Sequence, residues 1–145
     1  MRRMLRRLAE LSFYEWLLLP QCVVASIGLA CALRFTSLNR LAGLTARYAS
    51  SSRGRHLPLF HRQCRLDRLL WLASRAASVL HGDGCCLLRS LLFFWLLHAR
   101  RKPAHLLLGV SKQADRLQGH AWVESAGLVM GHDSLYNLYT PVLRF

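Results

Sequence analysis

Acidic side chains are scarce in this 145-residue chain, which has seven Asp and Glu against 20 Lys and Arg, for a formal net charge of +13. Lysine is rarer still, at Lys102 and Lys112, so nearly all of the positive charge is arginine. A basic balance favours an acidic partner, such as nucleic acid, an anionic membrane surface or an acidic peptide. No zinc-finger spacing, glycine-rich phosphate loop or nucleic-acid-binding signature is present, so nucleic acid is not the expected main partner.

Cysteines are few and odd in number, and their spacing is irregular. Five such cysteines, without a cleavable secretory signal, exclude a disulfide framework and predict reduced thiols in the cytoplasm. Charged residues make up only 19% of the chain and hydrophobic residues 53%, which excludes a disordered tail, a collagen-like repeat and a coiled coil. A chain of this length is expected to form one domain with a substantial core.

One segment, Trp16–Leu33, carries no charge over 18 residues. That length is the lower limit for a membrane-spanning helix, and the arginines before it would place the N-terminus in the cytoplasm. Pro20 and Gln21 lie inside the segment, however, and Glu15 borders it. A buried core helix is therefore favoured over a membrane span.

The chain changes character near residue 82, so a helical subregion, 1–82, and a second part, 83–145, are expected within the single domain. The first part predicts, over 2–19 and 21–33, either one helix that is interrupted at Pro20 or two short helices. It also predicts a helix from the N-cap Ser37 to about Tyr48 and another over 61–80. The second part predicts a helix from Cys86 to about Arg100 and then strands over Ala104–Val110, His120–Ser125 and Leu128–Asp133. A loop is expected over Ser111–Gly119, and the tail from Ser134 to Phe145 is expected to add a strand or to pack on the core.

Cys86 is the candidate nucleophile, because it begins a helix just after Gly82-Asp83-Gly84, with Cys85 between them. The N-terminus of a helix carries a partial positive charge, which favours the nucleophilic thiolate over the thiol. The alternative is a small packing residue, which is the role of most free cysteines.

His120 is the candidate base, and its position in a hairpin supports this role. If Ala126 and Gly127 form a two-residue turn, Ser125 pairs with Leu128 and His120 lies opposite Asp133. Opposed side chains share one face of a sheet, with Cβ atoms about 4.5–5.5 Å apart. A carboxylate there could orient the imidazole, as a cysteine acyl-transfer enzyme requires. A bulge would shift Asp133 by one position.

Three motifs resemble those of a known family, and they stand in the same order at matching intervals: Cys86-Leu87-Leu88-Arg89-Ser90-Leu91, Leu107-Leu108-Gly109-Val110 and His120-Ala121-Trp122-Val123-Glu124. The family is the transglutaminase-like cysteine proteases of lasso-peptide biosynthesis, the B-protein leader peptidases. The resemblance implies an α+β fold, in which a helical N-terminal half packs on a transglutaminase- or papain-like core with the nucleophile at a helix N-terminus and a small antiparallel sheet.

The resemblance also assigns roles: Cys86 as nucleophile, His120 as base and Asp133 as the orienting acid. Asp115 lies in the loop before the base and is a poor substitute for Asp133. Cys85 lacks the spacing to Arg89 and is expected to be a packing residue. No metal or cofactor is expected, because no ligand spacing fits the remaining cysteines and histidines.

By resemblance, the protein is the stand-alone bacterial leader peptidase of the split type. Its substrate would be a ribosomally synthesised precursor peptide, and it would act with a separate leader-recognition protein and an ATP-dependent cyclase. Two other functions remain open from the sequence. One is a related acyltransferase that passes the acyl group to an amine, and the other is a basic, membrane-associated protein without enzymatic activity.

Overall fold

The computed structural model describes residues 11–82, 85–113, 116–130 and 136–145. Within these residues the chain forms four α-helices and then four strands, with single turns of 3-10 helix at Gly54–His56 and Tyr136–Leu138. The helices are α1 (Phe13–Phe35), α2 (Leu38–Ser50), α3 (Leu66–His81) and α4 (Cys86–Ala99). The strands are β1 (His105–Gln113), β2 (Arg116–Ser125), β3 (Leu128–Val129) and β4 (Thr140–Arg144), all paired antiparallel in the order β3-β2-β1-β4.

Helix α1 begins with a capping box at Ser12 and continues past Pro20. The Ser12 side chain accepts a hydrogen bond from the Glu15 amide, and the Glu15 carboxylate accepts one from the Ser12 amide. The predicted interruption at Pro20 is wrong, because α1 is a single helix on both sides of it. The Gln21 side chain donates to the Leu17 carbonyl within this turn and adds a hydrogen bond beside the proline. Residues 2–10 of the predicted helix lie outside the described residues.

Helix α1 is buried on one face only. Leu18, Cys22 and Ser26 are fully buried at helical spacing and face the other helices. The opposite face exposes apolar side chains to solvent, among them Phe13, Leu17, Val24, Ile27 and Phe35. The favoured interpretation of this segment as a core helix therefore holds only for the face that carries Leu18, Cys22 and Ser26. By length and composition α1 could cross a membrane, and 17% of its most apolar window is buried.

Helix α4 is the centre of the fold. It packs against the other three helices on one side and against β1 and β2 on the other. Nine of its 14 residues are buried, including Leu91, Leu92, Leu96 and Leu97, which have no exposed surface. Helix α3 begins at Leu66, five residues later than predicted, because residues 58–64 form turns that bury His61 and Cys64 instead of a first helical turn.

The sheet is built on two hairpins. Strands β1 and β2 pair from His105 with Glu124 to Gln113 with Arg116, so the predicted loop over Ser111–Gly119 is wrong for its described residues, 111–113 and 116–119. Polar residues occupy these strand ends because they extend into solvent, where alternation with apolar residues is lost. The second hairpin has the predicted two-residue turn, with positive φ of 52° at Ala126 and 77° at Gly127.

The mixed α+β fold class predicted from the sequence is confirmed, with four helices followed by a small antiparallel sheet. The tail also supplies a strand as predicted, since β4 pairs with β1.

A buried ion pair joins α1 to α3. The Arg68 guanidinium donates from Nε to Glu15 Oε1 at 3.0 Å and from Nη2 to Glu15 Oε2 at 3.3 Å. Glu15 is only 7% exposed, and it also accepts from the Cys64 thiol. Burial by itself raises the pKa of Glu15, but the hydrogen bonds from Arg68 and from the Ser12 amide outweigh it and hold the pKa below its ordinary value of 4.5.

We expect Glu15→Gln to lower the free energy of unfolding by roughly 3 kcal/mol, because it leaves the Arg68 charge half-buried without its counter-charge. In the native chain, a lowered carboxyl pKa contributes stability above pH 4.5, and this contribution is lost as pH falls through the folded pKa. Urea unfolding of the two chains between pH 7 and pH 3 measures both effects. The difference between them should shrink as the pH falls below 4.5.

The matched control is Asp67→Asn, which removes an exposed carboxylate 3.3 Å from Arg65. Solvent screens this pair, so the substitution should change stability little. Equal destabilisation by the two substitutions, or a difference for Glu15→Gln that does not depend on pH, would contradict the role given to the buried pair.

Candidate active site

Cys86 is the first residue of α4, and Cys85 is its N-cap. Cys86 is partly exposed. The first amides of a helix have no acceptor within the helix, so the backbone beside this thiol offers donors for a developing oxyanion. The neighbouring Cys85 thiol lies 3.1 Å from the carbonyl of Gly82, the C-cap of α3, and is in hydrogen-bonding contact with it.

Ser90 fixes the start of α4 against strand β2. Its buried hydroxyl donates to the Ala121 carbonyl at 2.9 Å. Ser90 follows Cys86 by four residues, so the two side chains lie on the same face of the helix, one turn apart. The face of α4 that carries Cys86 is therefore directed at β2 near Ala121, the residue that follows His120.

The His120 and Ala121 side chains point to opposite faces of the sheet, because successive side chains of a strand alternate. Its ring stacks on Tyr139 with centroids 4.9 Å apart and lies 6.2 Å from the Trp122 ring. Trp122 is buried, and its indole Nε1 donates to Glu124 Oε1 at 3.3 Å. The imidazole is thus held between two aromatic rings at a partly exposed position.

Gly109 faces His120 across the β1–β2 ladder. A Cβ atom at this position would lie 2.8 Å from the Trp122 ring and 2.9 Å from the Thr140 carbonyl oxygen. Any side chain here would displace one of them, because contacts this short are not tolerated. The glycine therefore lets the Trp122 indole approach β1 closely beside His120.

The predicted register of the third strand is confirmed as far as the described residues extend. Glu124 pairs with Val129 and Ser125 with Leu128, and the Met130 amide donates to the Val123 carbonyl at 2.8 Å. Strand β3 is described only to Val129, and Asp133 would lie opposite His120 only if the same register continued beyond it. Asp133 itself lies outside the described residues, as does Asp115, so the position of the acid stays a prediction.

The other cysteines differ from Cys86 in their surroundings. Burial raises the pKa of Cys22 to about 12, and burial together with the Glu15 charge raises the pKa of Cys64 to about 12. These two thiols therefore remain protonated near neutral pH and are poor nucleophiles. Cys31 is exposed on α1. Among the described residues, no group of three or more His, Cys, Asp or Glu side chains could hold a metal ion.

Three contributors to the site were not recognised as such from the sequence: Ser90, Gly109 and Tyr139. Ser90 and Gly109 belong to the quoted motifs, but the motifs do not indicate what these two residues do. A serine in the second turn of an apolar helix and a glycine within a strand were the available indications. Nothing in the sequence indicated Tyr139, because its contact with His120 depends on the path of the tail.

Comparison with known proteins gives one finding for this arrangement. The family model described as the transglutaminase-like superfamily matches residues 25–144, from the middle of α1 to the end of β4. That superfamily includes cysteine proteases and transferases. No curated protein and no solved structure matches the chain.

Proposed function

The chain belongs to the transglutaminase-like superfamily, and we propose that it is a cysteine peptidase that removes the leader from a ribosomally synthesised lasso-peptide precursor. The observation that carries the chemistry is the Ser90–Ala121 hydrogen bond, because it fixes the first turns of α4 beside the strand that bears His120. The lasso-peptide substrate class rests on the three sequence motifs.

The proposed reaction proceeds in two steps. The His120 imidazole takes the Cys86 thiol proton, and the sulfur attacks the carbonyl at the leader–core junction while backbone amides at the start of α4 stabilise the oxyanion. The imidazolium then protonates the amine of the core peptide as the C–N bond breaks, leaving a thioester. In the second step water, deprotonated by His120, hydrolyses the thioester. Asp133 would orient the imidazole throughout.

The partners in this proposal follow from the resemblance. A separate leader-recognition protein would deliver the precursor, and the freed amino group would be the substrate of an ATP-dependent cyclase. The reaction itself needs no cofactor, and the proposed compartment is the bacterial cytoplasm. The fold is equally suited to an acyltransferase, in which an amine replaces water in the second step.

The experiment that tests the proposal combines the purified protein, a precursor peptide encoded beside its gene and the recognition protein, in water enriched in ¹⁸O. We expect mass spectrometry to find two fragments, with one ¹⁸O in the new carboxylate of the leader. An added amine at millimolar concentration should compete poorly with water.

Two outcomes would contradict the proposal in different ways. A leader that carries the added amine and no ¹⁸O would identify an acyltransferase that uses the same thioester. An intact precursor after incubation with the recognition protein would remove the leader-peptidase function.

A further inference from the structure

A basic cleft of about 540 Å³ opens at the end of α4 opposite to Cys86. The cleft lies between two segments of the chain, one that follows α2 and one that follows α4. Its lining consists of four cationic side chains, an imidazole and a hydroxyl: Arg62, Arg100, Arg101, Lys102, His56 and Ser52. Except for the half-buried Arg100, all of these residues are exposed.

No acidic side chain of the described residues lines this cleft. The described acids have partners elsewhere: Glu15 binds Arg68, Asp67 binds Arg65 and Glu124 accepts from Trp122. Four like charges around one concavity without a counter-charge produce a focused positive potential, which raises the local concentration of anions.

Arg100 is hydrogen-bonded to the backbone, so we expect the other cations of the cleft to bind a ligand. Its Nη2 donates to the carbonyls of His61 and Cys64, and this contact fastens the end of α4 to the segment before α3. Desolvation lowers the pKa of Arg100, and the charge of Arg62 lowers it further. This mutual repulsion between neighbouring guanidinium groups would be relieved by a bound anion.

Arg101 occupies a backbone position that favours glycine. Helix α4 ends in a Schellman motif, in which the Lys102 amide donates to the Leu97 carbonyl and the Arg101 amide to the His98 carbonyl, both at 2.9 Å. The motif gives Arg101 a φ of 57°. A side chain in this left-handed conformation costs roughly 1–2 kcal/mol relative to glycine. Residues held in such conformations cluster at ligand-binding sites, although a tight turn such as that at Ala126 also holds them.

We propose that this cleft is a docking site for a carboxylate-rich segment of the peptide substrate. The cleft offers arginine forks, which bind carboxylates in a bidentate manner. Its described lining has no Phe, Tyr or Trp ring on which a nucleic-acid base could stack, and this favours a peptide over single-stranded nucleic acid. The assignment of the ligand as substrate rests on the proposed peptidase function.

The position of the cleft sets the spacing of such a substrate. Cys86 and Arg100 are separated by 14 residues of α4, or about 21 Å along the helix axis. An extended peptide covers about 3.3–3.6 Å per residue. At least about six residues would therefore separate the acidic segment from the cleaved bond.

Binding can be measured without cleavage in the Cys86→Ala chain by fluorescence anisotropy. The probes are fluorescein-labelled hexaglutamate, hexaglutamine and a thymidine oligonucleotide. We expect hexaglutamate to bind and hexaglutamine not to bind, with an affinity that falls as salt is added. The triple variant Arg62→Gln, Arg101→Gly, Lys102→Gln should weaken hexaglutamate binding at least about tenfold.

A charge-matched control separates the cleft from net charge. It replaces three exposed arginines that do not line the cleft, namely Arg34, Arg116 and Arg144, by glutamine. This variant should change hexaglutamate affinity less than about twofold, because it lowers the net charge equally but removes no side chain of the cleft, and solvent screens exposed charges. Equal losses in the two triple variants would overturn the proposal. Tighter binding of the oligonucleotide at the same residues would overturn it in favour of nucleic acid.

The single variant Arg101→Gly tests the argument from strain. It should weaken hexaglutamate binding and leave the melting temperature unchanged or higher, because glycine adopts the positive φ without cost. A lower melting temperature would show that Arg101 is retained for the fold and would overturn its assignment as a ligand. Because no cleavage is measured, failure here leaves the peptidase proposal standing, and failure of cleavage leaves this binding result standing.

Discussion

Cys86→Ala is expected to lower the rate of leader removal by at least about 10⁴-fold, because no other group can form the thioester. The loss should appear in kcat, since the sulfur contributes to the chemical step and little to the binding of peptide. The helix should still form, because alanine is a better helix former than cysteine and Cys86 is only partly buried at the first position of α4.

Two cysteine variants serve as matched controls. Cys31→Ala removes an exposed thiol on α1. Cys85→Ala removes the neighbouring thiol, which contacts the Gly82 carbonyl. Both should keep most of the activity, and their circular dichroism should match that of Cys86→Ala. If Cys85→Ala abolished cleavage and Cys86→Ala retained it, the nucleophile would be the N-cap residue and the motif alignment would be off by one.

The sequence predicted the local geometry of the sheet well where short-range chemistry determines it. Ala126 and Gly127 were recognised as a two-residue turn, and the positive φ at both residues matches the turn that suits the twist of antiparallel strands. That turn fixes the register, so Ser125 pairs with Leu128 and Glu124 with Val129. The helix boundary at Cys86 was likewise marked by the glycines before it.

Local chemistry was misleading where packing determines the structure. The residues from Ser111 to Gly119 are polar, yet β1 and β2 continue through the described part of them, because backbone pairing within a hairpin needs no apolar side chains. Pro20 was expected to break α1. The helix continues because its buried face, with Leu18 and Cys22, packs against the other helices on both sides of the proline.

The same limit applies to the candidate site and to the basic cleft. The helix end predicted at about Arg100 is confirmed, and Arg101 and Lys102 complete the Schellman motif there. Their second property, a shared concavity with Arg62, depends on how the turns before α3 approach the end of α4. A contact between positions about 40 residues apart has no signature in one sequence. The stacking of Tyr139 on His120 escaped prediction for the same reason.

His120→Ala is expected to be about as damaging as Cys86→Ala, because the base and the nucleophile act as one unit. Removing the imidazole leaves the thiol proton without an acceptor and the leaving amine without a donor. The chain carrying both substitutions should cleave no more slowly than either single variant, and this absence of additivity is the sharper result. Single-turnover rates of the three variants on the same precursor measure it.

The control for His120 is His105→Ala, an exposed histidine on the adjacent strand. It should retain near-full activity and show that the sheet tolerates loss of an imidazole. Tyr139→Leu should have an intermediate effect, because it removes the ring that holds His120 in place while leaving the imidazole present. Additive losses in the double variant, or cleavage by His120→Ala at more than about a tenth of the normal rate, would separate His120 from Cys86 and require another base.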